Sequence, residues 1–93
     1  MPAVAASPLE AGASEPAMRD LVEFLVRSLV DDPDAVEVEE FDEDGDLVLE
    51  VTVADEDLGR VIGRGGRIAN AIRTVARAVG ARDDRRVIVD ILD

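Results

Sequence analysis

The stretch Val61-Ile62-Gly63-Arg64-Gly65-Gly66-Arg67-Ile68 does most to limit the folds open to this chain. Helical periodicity runs up to it and resumes directly after it. Any fold must therefore place a sharp turn, poor in Cβ atoms, between two helices. Gly63 and Gly66 frame two free positions, and glycine reaches positive-φ conformations that other residues avoid. The missing side chains also let a ligand approach the backbone closely. Arg64 and Arg67 add forked cationic donors that suit phosphate oxygens. The stretch points to a loop that holds a nucleic-acid backbone.

Other phosphate-binding patterns fail here. A P-loop needs four residues between its glycines and then a lysine, and the chain has no lysine. The dinucleotide fingerprint needs a third glycine where Ile68 stands, and a strand before the loop. A Gly-x-x-Gly turn between helices remains.

The flanking periodicities set the architecture. Residues 1–17, rich in Ala, Pro, Ser, Gly and Glu, are expected to form a disordered tail. Met18, Leu21, Val22, Leu25, Val26, Leu29 and Val30 then recur at helical spacing. Arg19, Glu23 and Arg27 stand four apart on the exposed side, where ion pairs can form. Asp31-Asp32-Pro33 stops this helix, because the residue before proline disfavours helical backbone. Alternation predicts strands over about 36–41 and 47–53, with Leu47, Leu49, Val51 and Val53 on one face. Asp44-Gly45 between them signals a hairpin.

Asp55-Glu56-Asp57 open a short helix reaching Ile62. The helix after the glycine turn should run from about Arg67 to Val79 and stop at Gly80. Ile68, Ile72, Val75 and Val79 share its apolar side, while Arg67, Asn70, Arg73 and Arg77 share the other. A strand over 86–92 follows, with Arg85 and Arg86 as its solvated start. Phe24 and Phe41, the chain's two aromatic residues, are assigned to the core. The fold class is α+β, in the order α-β-β-α-α-β, with a three-stranded sheet and helices on one face. The domain spans 18–93.

Charge sharpens the reading of the loop. The net charge of −12 would repel polyanions if it were uniform. Residues 1–57 hold 18 carboxylates and 2 arginines, whereas residues 58–82 hold 6 arginines and no acid. Positive charge is thus confined to the neighbourhood of the loop, and the acidic remainder can serve solubility alone. Cysteine and histidine are absent, which removes thiolate and imidazole ligands and the commonest general base. The acidic run 42–46 lacks the glycine position and closing glutamate of an EF-hand. No nucleophile stands beside a base, so no enzyme activity, metal or cofactor is expected. No apolar run reaches the roughly 18 residues of a membrane span, and no secretory signal opens the chain, which fits a cytoplasmic protein.

The loop and its neighbours resemble the KH domain in its type II, bacterial form. The stretches Asp57-Leu58-Gly59-Arg60 through Val75 and Leu21-Val22-Glu23-Phe24 through Pro33 are similar to the small bacterial KhpA family. The resemblance covers residues 18–92. It implies that Gly63 and Gly66 are the fixed glycines and that Arg64 and Gly65 are the variable pair facing phosphates. Ile62 and Ile68 would form an apolar floor. Arg60, Arg67, Asn70 and Arg73 complete the candidate RNA-binding set. Gly65 departs from the polar residue often found there, leaving one side-chain contact fewer.

KH loops clamp the backbone of about four nucleotides. The family resemblance further implies an RNA chaperone or post-transcriptional regulator linked to cell-wall and cell-shape control. It would act as a homodimer or with a KhpB-like, KH-containing partner. Single-stranded RNA is the expected ligand. With few cationic contacts, one copy should bind weakly and with strong salt dependence. The alternative is a protein-interaction adaptor that uses the fold as scaffold.

Overall fold

Val22 and Val26, with Met18 half-buried one turn before them, become the core-facing seam of α1 (Met18–Arg27) in the computed structural model, which describes residues 18–93. The expected disordered tail, 1–17, lies outside the described residues. Glu23 binds Arg19 at 2.7 Å and Arg27 at 3.4 Å, forming the anticipated ion pairs. The helix ends at Arg27, earlier than its apolar period suggests. The Ser28 N–H still reaches the Phe24 carbonyl at 3.1 Å, but the Leu29 N–H donates to Val26, three residues back, at 3.0 Å, tightening and closing the last turn. Leu29 and Val30 still pack against the core from the turn beyond.

A single turn of 3-10 helix at Pro33–Ala35 leads into β1 (Glu37–Glu43), which pairs antiparallel with β2 (Asp46–Thr52). Both strands are shifted slightly from the expected bounds. The hairpin forms at Asp44-Gly45, with φ of 54° and 92°, as that pair requires. A second single turn, Asp55–Asp57, opens α2 (Leu58–Ile62). The loop turn Arg64–Gly66 leads into α3 (Arg67–Arg82), and β3 (Val87–Ile91) closes the sheet parallel to β2. The strand order is β1-β2-β3. The α+β order read from the sequence is the observed one.

Helices cover one face of the sheet. Val38, Leu47, Leu49, Val51, Val87 and Val89 meet Val22, Val26, Val61, Ile72 and Ala76 in one buried cluster. Burying each such side chain is worth about 1.5–3 kcal/mol, so this seam carries most of the fold.

Three expectations are corrected. Phe24 is 67% exposed and Phe41 42% exposed, so neither aromatic belongs to the core. Aliphatic side chains, from alanine to isoleucine, fill the core between helices and sheet, while Phe41 stands on the uncovered face beside Val48. The buried side of α3 is Ala69, Ile72, Ala76 and Gly80, and Val75 is exposed. Gly80 does not stop the helix. A Cβ there would lie 2.6 Å from Val87 Cγ2 and 2.7 Å from the Arg85 carbonyl oxygen, so glycine is needed for the return of β3.

Candidate nucleic-acid interface

The site begins with a buried carboxylate. Asp57, 1% exposed, precedes α2 and accepts the backbone N–H of Asp31 at 3.2 Å and of Asp32 at 3.1 Å. This ties the segment after α1 to the base of α2, the helix that delivers the glycine loop. Arg60 joins the same knot, with Asp31 at 3.0 Å and Asp57 at 3.7 Å. Its guanidinium is thus engaged within the fold.

The loop backbone is set by its glycines. Gly63 has φ 77° and ψ 170°, a conformation almost restricted to glycine. A Cβ there would lie 2.7 Å from Ile68 Cγ1 and 2.9 Å from the Ile68 backbone nitrogen. Gly65 and Gly66 are both left-handed, with φ of 64° and 80°. Space beside Gly65 is open, whereas Gly66 faces the Asn70 side chain.

Gly63 donates its N–H to Gly59, Gly66 donates to Gly63, and Arg67 donates to Arg64. Among the described residues, the N–H groups of Arg64 and Gly65 donate to no backbone carbonyl. No side chain caps α3, whose N-cap is Gly66, and its first turn holds no acid. Free donors and the positive end of a four-turn helix therefore sit together, an arrangement that favours an anion.

The candidate side chains divide around α3. Arg64, Arg67 and Asn70 are exposed at the loop and the first turn. Arg73 donates its Nε–H to the Val89 carbonyl on the open edge of β3 at 3.1 Å, and reaches Asn70 at 3.4 Å. Ile62 is exposed, while Ile68 packs on the core and lines an apolar channel between α1 and α3. The two isoleucines thus differ in surroundings, and Ile68 faces the α1 side of the loop. Phe24, Leu25, Leu29 and Val75 line the same channel of about 390 Å³.

On the other flank, a groove of about 460 Å³ separates α3 from β3. Arg73, Arg77, Arg85 and Arg86 line it over Val87 and Val89. Arg77 and Arg86 were outside the candidate set, and Arg86 was read as mere strand start. The one available signal was that Arg73 and Arg77 stand four apart on one helix side. Which strand faces them is set only by the fold. Arg85, also read as solvated, instead bonds Asp42 at 2.6 Å and the Gly45 carbonyl at 3.2 Å, pinning the hairpin. Arg64, Arg67, Arg77 and Arg86 enter no ion pair among the described residues.

The described residues contain no group of acids that could hold a metal, and no helix long and apolar enough to cross a membrane.

Comparison with known proteins gives the chain a family. The family model described as KhpA/KhpB, KH domain, matches residues 19–91. The RNA-binding protein KhpA of Clostridium acetobutylicum is 48% identical over 81% of this chain and 100% of its own length. That of Borreliella burgdorferi is 46% identical over 80% of this chain and 90% of its own. For Aquifex aeolicus KhpA the identity is 42%, over 83% and 98%. A solved structure of Era from Aquifex aeolicus is 22% identical, with a TM-score of 0.49, over 83% of this chain and 31% of that one. With the family model spanning α1 to β3 and full-length relatives well above 30% identity, the chain belongs to the KhpA/KhpB KH-domain family.

Proposed function

We propose that this chain is a single-stranded RNA-binding protein that grips the RNA backbone at the loop from Gly63 to Gly66. One observation carries the proposal: the N–H groups of Arg64 and Gly65, without an acceptor among the described residues, adjoin an uncapped, acid-free start of α3. Phosphates would sit against these donors, with Arg64 and Arg67 adding charge. Bases would enter the groove between α3 and β3, over Val87 and Val89 and beside Arg73, Arg77 and Arg86. The absence of an aromatic platform there means that bases are read on their edges, with little stacking.

Such a grip is weak for a single copy, because few phosphates are neutralised and the net charge is −12. We infer a role as RNA chaperone or post-transcriptional regulator in the cytoplasm, where a weak and reversible grip is useful, and no catalytic activity. The name of the relatives, RNA-binding protein KhpA, supports the RNA part. The link to cell-wall and cell-shape control rests on family resemblance. Action as a homodimer or with a KhpB-like partner would raise affinity through linked sites.

The channel holding Phe24 and Val75 favours a second reading, in which the fold also works as a protein adaptor. An exposed phenylalanine beside an exposed valine is the kind of surface that protein contacts use.

The test is RNA crosslinking and partner capture with the R64D/G65D double variant. Aspartate tolerates left-handed backbone better than most residues, so the loop should stay folded. Lost crosslinking with retained partner capture supports the proposal. Unchanged crosslinking in a folded variant overturns it, and loss of the partner alone selects the adaptor.

A further inference from the structure

The sheet face turned away from the helices carries a pattern that the RNA site does not use. In register across the three strands, Phe41, Val48 and Ile88 form one apolar row. Phe41 is 42% and Ile88 37% exposed, with Val48 shielded between them. The next row on the same face is Glu39, Glu50 and Asp90. Glu37, Glu43 and Asp46 share the face by alternation. None of these six carboxylates enters an ion pair among the described residues.

Both rows run against the fold's own stability. Like charges directly opposite on neighbouring strands cost about 0.2–1 kcal/mol per pair. A phenylalanine left in water forgoes burial worth about 1.5–3 kcal/mol. A cationic ligand with apolar side chains would relieve both at once. RNA is excluded by charge, and the sheet separates this face from the glycine loop. A second copy is disfavoured at this face because it would set its own carboxylate row against Glu39, Glu50 and Asp90.

We propose that the uncovered face of the sheet docks a basic polypeptide segment that alternates cationic and apolar side chains. The apolar residues would lie on Phe41 and Ile88, and the cations would meet Glu39, Glu50 and Asp90. Such a row is much smaller than the roughly 800 Å² per partner of a standard interface, so the contact is transient and salt-sensitive. It leaves the glycine loop open, so RNA and this partner can be held together.

The test uses the full chain, labelled for amide NMR, and a short synthetic peptide alternating lysine and leucine. Lysine–serine and glutamate–leucine peptides serve as controls. The expected result is shifts centred on Phe41, Val48, Glu50 and Ile88, weaker with lysine–serine and absent with glutamate–leucine. Combining E39K with E50K should weaken binding about tenfold or more, as loss of complementary charge does, and F41S should weaken it severalfold. R64D should leave it unchanged, which separates this proposal from the RNA reading. The substituted side chains are on the surface, and removing the carboxylate row should hold or raise the melting temperature. Shifts spread over all acidic residues, with no effect of F41S, would overturn the proposal in favour of unspecific charge attraction. Sedimentation showing self-association that F41S abolishes would overturn it in favour of a second copy.

Discussion

The Asp57 carboxylate accepts the Asp32 backbone N–H at 3.1 Å across 25 residues of sequence, and its other oxygen takes Asp31 at 3.2 Å. Removing it breaks two part-buried hydrogen bonds to a charged acceptor, each worth about 1.5–3 kcal/mol. D57A should therefore destabilise the fold by about 2–4 kcal/mol, read as a lower urea midpoint. D57N should be intermediate, because one amide oxygen replaces two acceptors.

Gly63 and Gly59 form a matched pair four residues apart. A Cβ on Gly63 would collide with Ile68, whereas one on Gly59 meets nothing within 4 Å. G63A should cost about 2–4 kcal/mol from strain and overpacking. G59A should add about 0.5–1 kcal/mol by favouring α2. Chemical denaturation of both separates local clash from general helix propensity.

Gly80 reverses the usual rule for glycine in a helix. Alanine is normally better there by about 1 kcal/mol. Here its Cβ would sit 2.7 Å from the Arg85 carbonyl, backbone that has little room to move. G80A should lower the melting temperature by about 4–8 °C per kcal/mol lost, and calorimetry reads that shift directly.

The groove arginines should act on binding and not on folding. R77E and R86E remove residues without ion pairs among the described residues, so melting should change little. RNA affinity should fall about tenfold or more for the pair, and the slope of log affinity against log salt should flatten by about 2. Titrations at several salt concentrations measure both.

Phe24 tests the adaptor surface. F24S should shift stability by no more than about 0.5 kcal/mol, as exposed substitutions usually do. Sedimentation equilibrium should then show weaker self-association if copies meet along the channel with Val75.

Much of this was legible in the residues. Asp44-Gly45 specified the hairpin, and alternation put Leu47, Leu49 and Val51 against the helices, because both signals are local. The glycine spacing located the loop for the same reason. Illegible features all depended on distant chain. Nothing near Asp57 reveals donors at Asp31 and Asp32, and nothing near Gly80 reveals the returning Arg85 carbonyl. The aromatic residues misled because composition ranks them as core-formers, while aliphatic side chains fill the core and both phenylalanines fall on outer faces. Arg86 stayed unnoticed until β3 was placed beside α3.

The parallel pairing of β2 with β3 encloses α2, the loop and α3 in a single crossover connection. Such a connection closes late, since distant segments must meet before any contact offsets the lost chain entropy. The glycine loop thus precedes, in chain order, the strand that completes the groove beside it. Arg73 and Arg77 lie along a helix whose groove exists only once Arg86, Val87 and Val89 are beside it, so the groove is assembled when β3 docks.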